Sequence, residues 1–361
     1  MSAFVLSPET RIFRLGRPFA LESGAVLDDL AVAYRTWGRL SPAADNAVIV
    51  CHALTGSADA DLWWAPLFGA GRALDPDRDF IVCANVLGGC YGSTGPATRD
   101  AAGRRLGTRF PAVTIRDQVR TQIALADALG IRGIRLVIGG SMGGLQALEW
   151  PLLDKRVGAV ATIAASGRHS AWCIGWSEAQ RQALAADPRF RGGDYADDAH
   201  PEAGLAAARA IAMLTYRTAR SLDARFGRHL GGGVFGERAA RPDAPAVANW
   251  LSHHGASLVA RFDALSYWRL LEAMDSHDLG RGRGSYREVA RRIQTPVLVV
   301  SIPTDALYVP AEQAELAELL PDAELVELDS EHGHDGFLID AGRLEPIVRA
   351  FRSGREVARA A

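Results

Sequence analysis

Gly139-Gly-Ser-Met-Gly143 has the G-x-S-x-G spacing that lets a strand turn abruptly into a helix and lift a serine hydroxyl off the edge of a sheet. Small residues on both sides of Ser141 allow the backbone to pack that tightly. An ordinary Gly-rich strand-to-helix turn satisfies the same five positions, so the spacing gains meaning only from its surroundings. A serine hydroxyl is a poor nucleophile until a base takes its proton, and the base must be oriented by a third group. Downstream of Ser141 the chain offers Asp305, just after an apolar run, and His334 in Glu331-His-Gly-His-Asp-Gly-Phe337, with His332 as the competing imidazole. Serine, then carboxylate, then histidine is the chain order in which such an elbow finds its partners. Attack on an acyl carbonyl also needs two backbone donors for the developing oxyanion. The N–H of Met142 directly follows the serine. The second is expected from His52-Ala-Leu-Thr-Gly56, with Leu54 as the candidate.

These residues need a scaffold that brings distant segments to one edge. Runs rich in strand formers occur at 47–51, 79–84, 134–138, 157–163, 295–301 and 323–328. Between them lie amphipathic stretches. In 114–129, Ile115, Val119, Ile123, Ala126 and Leu129 recur at helical spacing, and further helices are expected over 145–153, after Pro310 and over 340–351. Such alternation indicates an α/β fold, a mostly parallel sheet flanked by helices. Residues 1–45 look like β-hairpins, with 31–37 the clearest strand. From about 167 to 292 the alternation stops and only helical patterns remain, the strongest over 203–214. The expected organisation is a core domain of residues 1–167 and 293–361, interrupted by a helical lid of residues 168–292.

Composition narrows the function. The chain has 361 residues, 48% hydrophobic and 23% charged, enough apolar side chain for a sizeable core. A net charge of -2 gives no chain-wide cationic field for nucleic acid or an anionic membrane. Lys155 is the only lysine among 40 cationic residues and does not follow a glycine-rich loop, so a P-loop and Schiff-base chemistry are set aside. Cys51, Cys83, Cys90 and Cys173 form no C-x-x-C pair. There is no signal-peptide pattern at Met1, and nowhere do about 18 apolar residues run together, so no membrane partner is expected and the cytoplasm is the default location. Gly231-Gly-Gly-Val-Phe-Gly236 matches a dinucleotide fingerprint but follows no strand; His253-His254 and His332-x-His334 lack a metal motif; Gly280-Arg-Gly-Arg-Gly284 reads as a solvated loop. No metal is expected.

Longer motifs add a resemblance. His52-Ala-Leu-Thr-Gly-Ser57, Trp63-Trp64, Asn85-Val-Leu-Gly-Gly-Cys-Tyr-Gly-Ser-Thr-Gly-Pro96, Gly139-Gly-Ser-Met-Gly-Gly-Leu-Gln-Ala-Leu-Glu-Trp150, Arg261-Phe-Asp263 and Gly333-His-Asp335 stand as in the homoserine O-acyltransferases. Over about residues 28–340 the chain resembles that family, a branch of the α/β-hydrolase superfamily. The resemblance implies that Ser141 is acylated by acetyl-CoA as co-substrate, with no permanently bound cofactor. His334 would be the base, Asp305 its partner, and homoserine the acceptor. It places Arg209 and Tyr216 at the amino-acid site and Asp335 on the substrate's amino group, and it implies a homodimer. The chemistry is apt, because an α-amino acid needs a cation for its carboxylate and an anion for its ammonium. A succinyl donor, a serine acceptor, and a plain esterase or thioesterase stay open. The stretch between His52 and Trp63 is shorter than in many relatives. The segment Arg168-His-Ser-Ala-Trp-Cys-Ile-Gly-Trp-Ser-Glu178 is bulkier and more polar than the family pattern.

Overall fold

Residues buried on both faces of a sheet read as unbroken apolar runs, and such runs form its centre here. The computed structural model describes residues 6–231 and 241–360. Its strands are β1 (Arg11–Leu15), β2 (Phe19–Ala20), β3 (Val26–Leu27), β4 (Leu30–Trp37), β5 (Ala47–Cys51), β6 (Phe80–Ala84), β7 (Ile134–Gly140), β8 (Val160–Ile163), β9 (Val297–Ser301) and β10 (Ala323–Glu327). Among the described residues the main sheet has eight strands in the order β1-β4-β6-β5-β7-β8-β9-β10. From β6 to β10 all neighbours are parallel, while β1 and β4 run antiparallel at one edge. The N-terminal hairpins and the mostly parallel sheet expected from the sequence are therefore both present.

The helices are α1 (Ala60–Trp63), α2 (Ile115–Ala128), α3 (Met142–Leu153), α4 (Ala171–Ala185), α5 (Glu202–Thr215), α6 (Ala219–Phe226), α7 (Ala246–Val259), α8 (Ala264–Asp275), α9 (Tyr286–Ala290), α10 (Pro310–Leu319), α11 (Gly336–Ile339) and α12 (Ala341–Ala360). Side chains alternate across β5: Ala47, Ile49 and Cys51 face a layer containing Val119, Leu148 and Trp150, whereas Val48 and Val50 face Trp64, Phe337 and Leu344. Each fully buried leucine or valine there contributes about 1.5–3 kcal/mol. None of the described helices is long and apolar enough to cross a membrane.

Helices α4 to α8 lie between β8 and β9 in the chain. The two necks of this insertion bond to each other: His169 N–H donates to the His277 carbonyl at 2.8 Å and Leu279 N–H to that of Gly167 at 3.0 Å. Beyond the second neck, Leu279, Tyr286, Val289, Ala290 and Ile293 pack beneath the sheet with Val157 and Val297. The Gly280–Gly284 segment is a partly exposed turn, as a loop was expected, but its arginines are paired rather than free. Arg281 reaches Glu22 at 2.6 Å and Arg283 reaches Glu149 at 2.7 Å, and Arg116 joins both carboxylates. Buried Glu149 needs cationic partners, and this draws the arginines inward. Most of the Gly231–Gly236 motif lies outside the described residues.

Candidate active site

The elbow stands where β7 becomes α3. Ser141 has φ 55° and ψ −127°, a left-handed backbone that turns the chain within one residue. A non-glycine residue there stores about 1–3 kcal/mol of strain, retained only where the surroundings enforce it. Here they do. Ser141 N–H donates to the Ile163 carbonyl at 2.9 Å, and its own carbonyl accepts from Gly144 and Leu145. The glycines matter because other backbone occupies the space of their side chains. A Cβ on Gly139 would strike the Gly143 carbonyl, one on Gly143 the Cys51 carbonyl, and one on Gly144 would lie 2.5 Å from Ala165 Cβ. Gly143→Ala is therefore expected to lower unfolding stability by about 3 kcal/mol, read in a denaturant melt. A wild-type midpoint would show that the elbow tolerates a side chain.

The same crowding brings the β5 loop to the first turn of α3. His52 is buried, with Nδ1 2.8 Å from the Ala53 carbonyl and Nε2 accepting from Val86 N–H at 3.1 Å. Burial pushes its pKa down to about 4, so it is neutral, with the proton assigned to Nδ1. Gln146 Nε2 donates to the carbonyls of His52 and Met142, each at 3.2 Å; Gln122 Nε2 donates to Gln146 Oε1, and Trp150 Nε1 to Gln122 Oε1. Arg261 Nη1 holds the Thr55 carbonyl at 2.8 Å and the Tyr91 hydroxyl at 2.5 Å. Leu54 and Met142 lie in one buried cluster beside this network. Met142 opens α3, so its N–H has no partner within the helix. Among the described residues Leu54 N–H has no backbone acceptor.

Ser141, His334 and Asp305 come together from three loops. His334 Nε2 lies 2.8 Å from Ser141 Oγ, and Nδ1 lies 2.7 Å from Asp305 Oδ2. The other carboxylate oxygen of Asp305 accepts from Leu307 N–H at 2.8 Å and Tyr308 N–H at 3.1 Å. All three residues are buried. Burial alone lowers the His334 pKa, but the Asp305 charge and hydrogen bond, with a contribution from Asp335, outweigh it and hold the pKa above the ordinary imidazole value. His332 makes neither contact and instead lines a neighbouring cavity.

The three expected substrate residues gather around the same imidazole. The Tyr216 ring centroid is 5.5 Å from that of His334, and the Arg209 guanidinium stands 5.6 Å over the Tyr216 ring. Asp335 N–H donates to the Tyr216 carbonyl at 3.0 Å. Burial raises the Asp335 carboxyl pKa, while Arg209, His334 and Arg217 act against that rise. Arg217 Nη1 is 3.7 Å from Asp335 Oδ2. Among the described residues no carboxylate lies within ion-pair range of Arg209, whose guanidinium stands over the Tyr216 ring. Beside this group opens a cavity of about 710 Å³, lined by Arg217, Arg225, Trp250, His254, His332 and Asp335 among others. Sequence reasoning missed His52, Gln122, Arg217 and Tyr308. The one available signal was Gln146, a polar residue four positions before Trp150 in a helix whose only charged residue is Glu149.

Known proteins share this arrangement of elements. A family model described as the alpha/beta hydrolase fold matches residues 46–341. A homoserine O-acetyltransferase of Trichormus variabilis is 54% identical over 349 residues, covering 96% of this chain and 95% of that protein. The crystal structure of a homoserine O-acetyltransferase from Staphylococcus aureus superposes with a TM-score of 0.76 at 28% identity, over 95% of this chain and 94% of that one. The esterase E22 structure superposes with a TM-score of 0.84 at 25% identity, over 95% and 99%. The identity to the curated relative, sustained along nearly the whole of both chains, places this chain in the homoserine O-acetyltransferase family, within the alpha/beta hydrolase fold.

Proposed function

We propose that the protein transfers an acetyl group from acetyl-CoA to the hydroxyl of homoserine through an acyl-Ser141 intermediate, giving O-acetylhomoserine for methionine biosynthesis. The observation that carries this reading is the unbroken Ser141–His334–Asp305 hydrogen-bonded chain with Tyr216 and Asp335 beside its imidazole. Ser141 Oγ attacks the thioester carbonyl while its proton passes to His334 Nε2. Leu54 and Met142 N–H groups stabilise the oxyanion. The C–S bond breaks, and the leaving thiolate takes the proton from His334. The homoserine hydroxyl then gives its proton to His334, attacks the acyl ester and expels Ser141 Oγ, which recovers the proton. Arg209 holds the acceptor's carboxylate and Asp335 its ammonium. Arg217, Arg225 and His254 on the adjacent cavity wall suit a phosphate-bearing donor.

Residues 168–292 form the lid in this reading, the stretch beyond Leu279 being its anchor under the sheet. It keeps water from the acyl-enzyme, which otherwise hydrolyses. The protein acts as a cytoplasmic homodimer. A surface groove between α5 and α7, lined by Ala203, Ala206, Ala256, Val259 and Ala260, suits a second copy, and sedimentation tests that assignment.

The deciding experiment is thiol release from acetyl-CoA and from succinyl-CoA, each with homoserine, with serine and with no acceptor. Sustained release, beyond one thiol per Ser141, that requires homoserine and prefers acetyl-CoA is expected. Equal release without acceptor would make the protein a hydrolase and remove the roles of Arg209 and Asp335. The acid limb of kcat/KM gives a further check. His334 must be neutral to accept a proton, so activity falls as pH drops through its pKa. Because Asp305 and Asp335 raise that pKa, the fall begins above the ordinary imidazole value. Asp305→Asn should move the limb downward as well as cutting kcat; an unmoved limb would exclude His334 as the titrating base.

A further inference from the structure

The orientation of Asp305 depends on the backbone just after it, because Leu307 and Tyr308 N–H groups hold one carboxylate oxygen. That backbone is gripped from outside the core. Trp172 Nε1 donates to the Ala306 carbonyl at 2.7 Å, and the Cys173 thiol donates to the Leu307 carbonyl at 3.1 Å. His169 Nδ1 lies 2.8 Å from the Tyr308 hydroxyl. Three consecutive residues of the acid loop thus each find a partner in residues 169–173, the first neck of the insertion and the first turn of α4. The core fixes the ends of the same loop through Thr304 to the Ser330 carbonyl and Gln313 to the Tyr308 carbonyl. It makes no comparable bond to the carbonyls of 306 and 307 among the described residues.

Packing alone does not account for this grip. Trp172 is 53% exposed and meets Trp176 edge-on, so it buries little for its size, yet its one polar atom is spent on Ala306. Cys173 is buried, and its pKa is pushed up to about 12, so it remains a thiol donor at neutral pH. His169 is tied through its own N–H to His277 in the second neck. The grip thus runs through residues that are themselves tied to the second neck and to the first turn of α4.

We propose that the first turn of the lid is a positioning element of the triad: His169, Trp172 and Cys173 hold residues 306–308 in the conformation that presents the Asp305 carboxylate to His334. The inference rests on the triad reading above. Seating the lid then does two things together. It closes the acyl-enzyme from water, and it arms the base. A lifted lid leaves His334 poorly oriented, so an exposed acyl-enzyme is spared the general-base attack of water.

The test compares wild type with Trp172→Phe, Cys173→Ala, their combination, and Cys173→Ser, which keeps a donor. Trp172→Phe alters a half-exposed ring, so it leaves the core intact even if the combination does not. Misplacing a reacting group by about 1 Å costs up to ~100-fold. The expected result is a kcat roughly 10-fold lower for Trp172→Phe and about 100-fold lower for the combination, with KM for homoserine and the melting temperature little changed and Cys173→Ser near wild type. The acid limb of kcat should also move downward. His334 faces Asp305, Asp335, Tyr216, Tyr308, Phe337 and Ser141, and of these Asp305 supplies the largest upward influence. Wild-type kcat, or a loss confined to KM or melting temperature with an unmoved limb, would overturn the proposal. Asp305→Asn, measured alongside, separates the two levels. If it retains wild-type kcat the triad reading itself fails; if it is crippled while the lid variants are not, only the lid's role falls.

Discussion

Ser141→Ala is expected to lower acetyl transfer by roughly 10⁴-fold or more, with the fold and acyl-CoA binding retained. Loss of the nucleophile in a serine triad removes the covalent route altogether, and what remains comes from binding and the oxyanion donors. The strained backbone is set by the Ile163 carbonyl and by the packing of Gly139, Gly143 and Gly144, none of which needs the hydroxyl. Alanine therefore adopts the same turn, and the melting temperature should hardly change. A mass measurement makes the prediction sharper than a rate. Wild type incubated with acetyl-CoA and no acceptor should gain one acetyl group on the peptide carrying Ser141, and Ser141→Ala should gain none. An acetyl group elsewhere, or a variant with near wild-type turnover, would end the acyl-Ser141 mechanism.

What the sequence revealed about this site divides along physical lines. The elbow was legible because its constraint is local: the strand, the small residues and the following helix lie within about twenty positions. Asp305 and His334 were legible because parallel sheets bring the ends of successive strands to one edge, so chain order predicts neighbourhood. Their mutual distances were not, since these depend on the course of the 304–308 loop, whose contacts to residues 169–173 carry no sheet periodicity. Arg209 shows the limit. By composition it is one arginine of many on an amphipathic helix, and only the family resemblance singled it out. Its placement over Tyr216, itself beside His334, arises from how α5 meets the His334 loop, a contact between segments more than a hundred residues apart. The Gly280–Gly284 segment misled for a related reason. Its glycines and arginines look solvated in isolation, but Glu22 and Glu149, brought close by tertiary packing, turn Arg281 and Arg283 into ion-pair partners that stay partly exposed. The roles of Gln146 and His52, though both stand in the quoted motifs, were not legible because a buried polar side chain declares its purpose only when its partners are known.

Arg209 also carries the other large expected effect. Arg209→Leu should raise KM for homoserine by about 100-fold or more while leaving the acceptor-independent burst of thiol from acetyl-CoA unchanged. Hydrogen bonds to charged groups contribute ~1.5–3 kcal/mol each, and an arginine fork makes two with one carboxylate; every 1.4 kcal/mol is about ten-fold in affinity. Arg209→Lys should fall between, because it keeps the charge and loses the fork. The split between half-reactions is the informative part. In the proposed mechanism acylation of Ser141 uses His334, Asp305 and the oxyanion donors, and Arg209 bonds to none of them: its guanidinium stands over the Tyr216 ring, which neighbours the imidazole. If Arg209→Leu slowed the burst as much as it raised KM, Arg209 would be supporting the architecture around Tyr216 rather than the acceptor. If it changed neither, the amino-acid site lies elsewhere, and the resemblance to relatives that acetylate homoserine would extend to the fold and the nucleophile but not to the acceptor.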